Sequence, residues 1–418
     1  MTNDASKIPA GGPEAHEYDL AVIGAGSAGF SAAITAAREG ARVALIGHGT
    51  IGGTCVNIGC VPSKTLIRAA EAVHAGQWAG RFPGLSGAAS VTDWPALMAA
   101  KDALVATLRQ QKYADLLPAY ETIDYIEGQA CFADGTIIIA GVPLRAARMV
   151  IATGSAPAMP DIPGIGDIPI LTSTSALELP ERPDSLLVIG GGYIGCELAQ
   201  LFARLGSQVT LVTRSRLLPE AEPEVSDALT GYLRDEGITV RARLGYRDIQ
   251  QTAAGVALSI DVEGRAEQLF ARHALVATGR RPHTDELGLV EAGIELDERG
   301  AIIVDDHMRT SLAGVYAAGD VTNRDAFVYM AAHGAKVAAR NALTSDDTAT
   351  YDNHAMPWVV FTDPQVAGVG LTEAAARAAG YTVRTSSITL DQVPRALAAR
   401  DTRGLIKLVA DAQTNVLL

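Results

Sequence analysis

The order of hydrophobic and polar positions sets out two copies of one motif. Asp19–Ile23 is a short apolar run bounded by turn residues, the pattern of a strand buried on both faces. Glycines 24, 26 and 29 follow it, then an alanine-rich stretch with helical spacing to about Arg38, then a second apolar run, Arg42–Ile46. Together these predict a βαβ unit. The same order returns with the run Ser185–Ile189, glycines 190, 192 and 195, a helix to about Leu205 and the run Gln208–Val212. The offset from Gly24 to Gly190 far exceeds the roughly 20–50 residues of a solenoid period, so whole domains are repeated.

Helical patterns (Lys64–Val73, Val91–Gln111) and short strands around Ile123–Ile139 fill the space between the copies and finish at MVIATGS, Met149–Ser155. A matching ALVATGRRP, Ala274–Pro282, follows the second copy, and after it come AIIVDDHMRT and VYAAGDV. One ATG phrase after each βαβ unit suggests a chain crossing where each domain closes. The pattern therefore predicts an α/β protein with two doubly wound, parallel-sheet dinucleotide-binding domains. The first is discontinuous (18–155 and 282–350), the second spans 156–281, a polar leader occupies 1–17, and 351–418 forms a C-terminal α+β module. That module ends in LIKLVAD, a polar turn and TNVLL, which reads as a hairpin whose second strand has just begun. An edge strand stopping at apolar residues leads to the expectation of further residues after Leu418, the interface module being incomplete as written.

Composition narrows the function classes. A chain of 418 residues with 48% hydrophobic and 19% charged residues can bury large cores and is neither disordered nor fibrous. A net charge of −13 opposes phosphate backbones and anionic lipid, so no nucleic-acid or membrane partner is expected. The N-terminus has no basic segment followed by an apolar one, and no run of 18 apolar residues occurs; a cytoplasmic location is expected. Of four cysteines, Cys55 and Cys60 stand five apart, while Cys131 and Cys196 lie in apolar surroundings that suit buried small side chains.

Gly24, Gly26 and Gly29 after a strand and at the head of a helix let a backbone approach a pyrophosphate, which the helix N-terminus then stabilises. The acid expected about 20 residues further on for a ribose hydroxyl is missing, because Gly47 and His48 stand there. Gly190, Gly192 and Gly195 repeat the device; Thr213 replaces the acid, and Arg214 and Arg216 follow. Loss of the carboxylate beside two guanidinium groups favours a 2′-phosphate, hence NADPH, the alternative being two solvated surface arginines. Two such sites suggest one resident flavin dinucleotide and one exchanging nicotinamide.

Cys60 lies just ahead of Pro62, which suits the first turn of a helix, where the macrodipole lowers a thiol pKa. A disulfide over so short a loop adds only about 2 kcal/mol by chain entropy, and a closed zinc site needs two more ligands where only His48 is near. A redox-active dithiol is the reading these residues favour.

GAGSAG, GGTCVNIGCVPSK, ATGS, GGGYIGCELA, ATGRRP and YAAGD occur in this order over nearly the whole chain, which resembles the pyridine-nucleotide disulfide oxidoreductases of the glutathione reductase and lipoamide dehydrogenase group. GTIGGTCVNIGCVPSKTLIRAAE, FVYMAAHGAKVAARNAL and FTDPQVAGVGLTEAAARAAGY are most similar to the mercuric reductase branch. The resemblance implies FAD and NADPH as cofactors, a homodimer, and a Hg(II) thiol complex as the substrate, held by Cys55 and Cys60. It implies that Cys60 faces the flavin and that Cys55 is the interchange thiol. Lys64 matches a lysine near flavin N5, Glu197 its carboxylate partner, and Tyr193 a tyrosine covering the nicotinamide pocket and facing the metal. Thr54, Thr153, Gly154 and Asp320 fall in the FAD phrases, and Gly279 in that of the second nucleotide. An ordinary ion pair, helix packing and a helix cap are the plain alternatives for Lys64–Glu197, Tyr193 and Asp320. Lipoamide dehydrogenase or another disulfide reductase, and a non-catalytic flavin-binding redox module, are the alternative functions. The sequence holds neither the His-Glu pair nor the vicinal cysteine pair of the family's C-terminal segment, which implies weakened dimerisation and impaired turnover if the chain ends at Leu418.

Overall fold

The computed structural model describes residues 17–133, 136–344 and 348–418. All but the last residue of the leader expected at 1–17 lie outside these described residues. The chain forms two compact units. One comprises residues up to Pro62, Asp102–Ala156 and Arg280–Asn353; the other comprises Ser63–Lys101, Pro157–Gly279 and His354–Leu418. The helices Cys60–Gln77 and Trp94–Lys112 each carry the chain across a unit boundary.

The first unit is built on a five-stranded parallel sheet. Its order is Val315–Ala317, Ala146–Ile151, Tyr18–Ile23, Val43–Gly47, Ile123–Glu127. Val43–Gly47 is buried at every position, as a parallel strand covered on both faces must be. On one face Ala21, Ile23, Ala44 and Ile46 pack with Phe132, Ile137, Ile139 and Leu144 of a three-stranded antiparallel sheet. The helix Ser27–Arg38 lies against the helix Val328–Leu343, with small residues such as Ala32, Ala33, Ala335 and Ala338 buried.

The second unit repeats the plan, in the order Thr239–Arg241, Gln208–Val212, Ser185–Ile189, His273–Val276, Leu171–Thr172, again all parallel. Period-two alternation assigns its central strand to two cores. Leu186 and Val188 join Leu198, Leu201 and Phe202 of the helix Tyr193–Arg204, whereas Leu187 and Ile189 join Ile249, Leu258 and Ile260 of a three-stranded antiparallel sheet. Phe202 is fully buried, and truncating such a side chain to alanine costs about 3–5 kcal/mol. At the end of that helix Arg204 donates to Glu236 (2.7 and 2.6 Å) and Asp363 (2.8 Å), and Arg403 donates to Asp363 (3.2 Å) and Asp401 (2.8 Å). This largely buried network fixes the C-terminal segment on the core of its own unit, each arginine sharing at least two carboxylates.

In the C-terminal part, Pro357–Val360 pairs with Val366–Val369, and Val383–Thr389 pairs antiparallel with Leu405–Asp411. The chain then turns at Asp411 and Leu417 bridges Ala410 in antiparallel sense, as the hairpin pattern of the sequence suggested. Among the described residues no helix is long and apolar enough to cross a membrane.

Candidate active site

The site grows from the backbone of the first glycine loop. Gly24 has φ +116°, and a Cβ there would lie 2.6 Å from the carbonyl carbon of Ala152; one on Gly29 would lie 2.8 Å from that of Gly24. The helix after this loop starts at Ser27 with Gly26 as its N-cap and no side-chain cap, so its first N–H groups face whatever occupies the loop. This backbone fits a dinucleotide pyrophosphate, which needs uncapped donors and no intervening Cβ.

The dithiol segment is bonded to the same loop. Gly52 N–H donates to Ala25 O (2.9 Å), and a Cβ on Gly53 would lie 2.6 Å from Gly26 Cα. Thr54 and Cys55 lie in the short helix Gly53–Asn57, and Cys60 opens the helix Cys60–Gln77, the position the proline had suggested. The first helix ends at Ile58, whose N–H donates back to Thr54 O (3.0 Å), and a Cβ on Gly59 would lie 2.9 Å from that oxygen. Asn57 Nδ2 donates to Ile51 O and Gly53 O (both 2.9 Å), which fixes the loop. Cys55 is half-buried and Cys60 exposed.

Tyr113 was not singled out in the sequence. Its ring lies on Gly52 and edge-on to Phe30 (4.9 Å between centroids), and its hydroxyl pairs with Ser27 Oγ at 3.1 Å. Burial pushes its phenol pKa up, as do the neighbouring Cys55 and Cys60, against the Ser27 bond, which pulls it down.

Farther along this loop system, Ser155 Oγ donates to Asp320 Oδ2 (2.7 Å), while Arg280 donates from Nε to Ser155 Oγ (2.7 Å) and from Nη2 to Ser155 O (2.6 Å). Asp320 opens the short 3-10 helix Asp320–Thr322. Thr153 Oγ1 donates to His283 O (2.6 Å), and Gly154 has φ +75° with open space where a Cβ would stand. Ser155, Arg280 and Asp320 thus meet within one unit, and sequence reasoning singled out only the last of them.

The second unit holds the other group. Gly190 has φ +120°, with a would-be Cβ 2.6 Å from the carbonyl carbon of Ala277, and a Cβ on Gly195 would lie 3.0 Å from that of Gly190. Open space adjoins Gly192 and Gly279, and the helix starting at Tyr193 has no side-chain cap. Lys64 Nζ donates to Glu197 Oε2 at 2.6 Å, although the two lie far apart in the sequence. Glu197 is buried, its Oε1 accepts from Phe361 N–H (2.9 Å), and Lys64 Nζ stands 4.9 Å over the Phe361 ring. The Tyr193 ring stacks on Trp358 (5.7 Å, 18° between planes).

The paired arginines separate. Arg214 is exposed, whereas Arg216 Nη2 donates to Pro219 O and Ala221 O (both 2.7 Å) and so ties its own loop together. Burial pushes the Cys196 thiol far up, and its S–H points at Gly191 O (3.5 Å), so it behaves as an apolar filler. Cys131 is half-buried, less enclosed than its apolar neighbours suggested.

Two parallel-sheet units, each with a glycine loop shaped for a pyrophosphate, one of them bonded through Gly52 to the segment that carries Cys55 and Cys60, define a dinucleotide-dependent thiol oxidoreductase architecture. Comparison with known families agrees. Residues 18–339 match the pyridine nucleotide-disulphide oxidoreductase model, and 356–418 match the dimerisation domain of that family. The chain belongs to the pyridine nucleotide-disulphide oxidoreductase family. It is 47% identical to a mercuric reductase of Streptomyces lividans over 96% of this chain and 85% of that enzyme. With the mercuric reductase of Staphylococcus aureus the identity is 45%, over 96% and 73%. Among solved structures, the HOCl-induced flavoprotein disulfide reductase RclA from Escherichia coli is similar, at 33% identity and TM-score 0.83 over 96% of this chain and 88% of that one.

Proposed function

We propose that the protein reduces Hg(II) to Hg(0) with electrons from NADPH, through FAD and the Cys55/Cys60 dithiol. The observation that carries this reading is the likeness to mercuric reductases over nearly the whole chain, at 47% and 45% identity. FAD, when bound, supplies electron-pair transfer between the nicotinamide and the thiols. The balance is NADPH + Hg(II) → NADP⁺ + Hg(0) + H⁺.

The chain's own residues do the rest. Gly24, Gly26 and Gly29, with Thr54, Thr153, Gly154 and Asp320, hold the flavin dinucleotide in the domain formed by 18–155 and 282–350. Gly190, Gly192, Gly195 and Gly279 hold NADPH in 156–281, with Arg214 on its 2′-phosphate. Tyr193 covers the nicotinamide. Lys64 is held in position by Glu197, which is itself anchored by the Phe361 N–H. Cys55 and Cys60 take Hg(II) from its thiol complex, since two soft thiolates suit a soft, two-coordinate cation. Hg(0) binds thiolates weakly and leaves. The module 351–418 pairs two copies into a homodimer working in the cytoplasm.

The test is NADPH oxidation by the purified protein with Hg(II) in excess small thiol, beside lipoamide and glutathione disulfide at equal flavin concentration. Turnover that depends on Hg(II), with release of volatile mercury, is expected. Turnover with a disulfide alone moves the assignment to a disulfide reductase, and none with any acceptor leaves a non-catalytic flavin protein.

A further inference from the structure

The missing acid of the first nucleotide site has a structural explanation. Gly47 ends the strand Val43–Gly47, the place from which a carboxylate normally reaches the adenosine ribose. The neighbouring strand Ile123–Glu127 runs parallel with Tyr125 opposite Leu45. A Cβ on Gly47 would lie 2.9 Å from Tyr125 Cε2 and 2.9 Å from Ala25 Cβ, and closer still to the Tyr125 hydroxyl. The carboxylate's space is therefore filled. What fills it is a phenol whose tip lies between the end of the second strand and Ala25 of the glycine loop.

We propose that Tyr125 is the adenosine-ribose contact of the first dinucleotide site, its hydroxyl replacing the carboxylate that Gly47 lacks. The hydroxyl is placed to act: Tyr125 is only half-buried, and its Oη has no hydrogen-bond partner among the described residues. Burial and the nearby Glu127 both push its pKa up, so the phenol stays neutral and can donate as well as accept at physiological pH. A carboxylate can only accept, and can take both ribose hydroxyls at once; a phenol pairs with one. The site thus exchanges a charged, two-pronged contact for a neutral, single one. This inference rests on the reading that the first unit holds FAD.

Its test is FAD retention rather than turnover. Tyr125→Phe keeps the ring that fills the space above Gly47 and removes only the hydroxyl. Release of FAD from the purified holoprotein, read as the rise of flavin fluorescence on dilution, should become about two- to tenfold faster, the range of one neutral hydrogen bond. The exchange Gly47→Glu with Tyr125→Val should restore slow release, while Gly47→Glu alone should lose FAD because the carboxylate and the phenol claim one space. Unchanged release from Tyr125→Phe, with normal binding by the parent protein, overturns the proposal and leaves Tyr125 a space filler. A parent protein that holds no FAD overturns the underlying reading instead.

Discussion

The two glycine loops share one backbone plan and put it to different uses. Gly24 and Gly190 have nearly equal φ, +116° and +120°, and in both the would-be Cβ lies 2.6 Å from the carbonyl carbon at the end of a neighbouring strand. The carbonyl of the next residue is also used alike: Ala25 O accepts from Gly52 N–H (2.9 Å), and Gly191 O accepts from Leu218 N–H (2.8 Å). Each donor stands five residues beyond the same point, Gly47 at the end of the second strand in one unit and Thr213 directly after it in the other. From that shared anchor the chains diverge. In the first unit the segment goes on to Cys55 and Cys60; in the second it has just passed Arg214 and Arg216. Side-chain volume is traded too. The first pair is Ala25 with Gly47 and the second is Gly191 with Thr213, and a Cβ on Gly191 would lie 3.1 Å from Thr213 Cβ. In each unit the glycine of the pair leaves its space to neighbouring side chains, Tyr125 and Ala25 at Gly47 and Leu217 and Thr213 at Gly191.

Breaking the shared backbone should give the largest effects, and in opposite places. Gly29→Ala forces a methyl onto the Gly24 backbone and should abolish flavin retention, measured as the absorbance ratio of flavin to protein. Gly195→Ala should leave flavin content near normal and raise KM for NADPH by about tenfold or more; equal loss of flavin in both variants would mean the loops are not separable. Substituting the two divergent segments comes next. Cys60→Ala should cut Hg(II) turnover by about 10³-fold or more with flavin content and NADPH binding kept, whereas Arg214→Ala should raise KM for NADPH, not NADH, by about tenfold, as charge-assisted phosphate contacts require. A preserved NADPH preference in Arg214→Ala would remove that arginine from the site. The smallest effect sharpens the difference between neighbours. Arg216→Ala should leave the NADPH preference unchanged and lower Tm by a few degrees, because its two bonds to loop carbonyls contribute about 1–3 kcal/mol together.

Much of this arrangement was legible in the chain because glycine spacing and short apolar runs report local geometry directly. Both βαβ units and the helix opening at Cys60 follow from such signals, whereas the place of Val315–Ala317 beside Ala146–Ile151 is set by strand pairing over a long sequence distance. Arg214 and Arg216 were indistinguishable by spacing, since only the path of the loop at Pro219–Ala221 shows that the second guanidinium turns inward. Tyr125 was invisible for a different reason. It meets Gly47 through the register of two strands that are distant in the sequence, and no local pattern encodes which strand lies beside the second one. The stacking of Tyr193 on Trp358 and the capture of Glu197 by Phe361 N–H are hidden in the same way.

The interleaving of the units carries a consequence for biosynthesis. The strand Ala146–Ile151 has Tyr18–Ile23 on one side, but its other neighbour, Val315–Ala317, is encoded only after the whole of the second sheet. At roughly 5–20 residues per second, a ribosome needs on the order of ten seconds or more to deliver it. Throughout that interval the nascent first sheet presents a buried-type strand with an open edge, the feature that recruits stray strands. The second sheet has all of its strands, Leu171–Thr172 to His273–Val276, before the first is closed, so the later-starting sheet is the earlier to be completed.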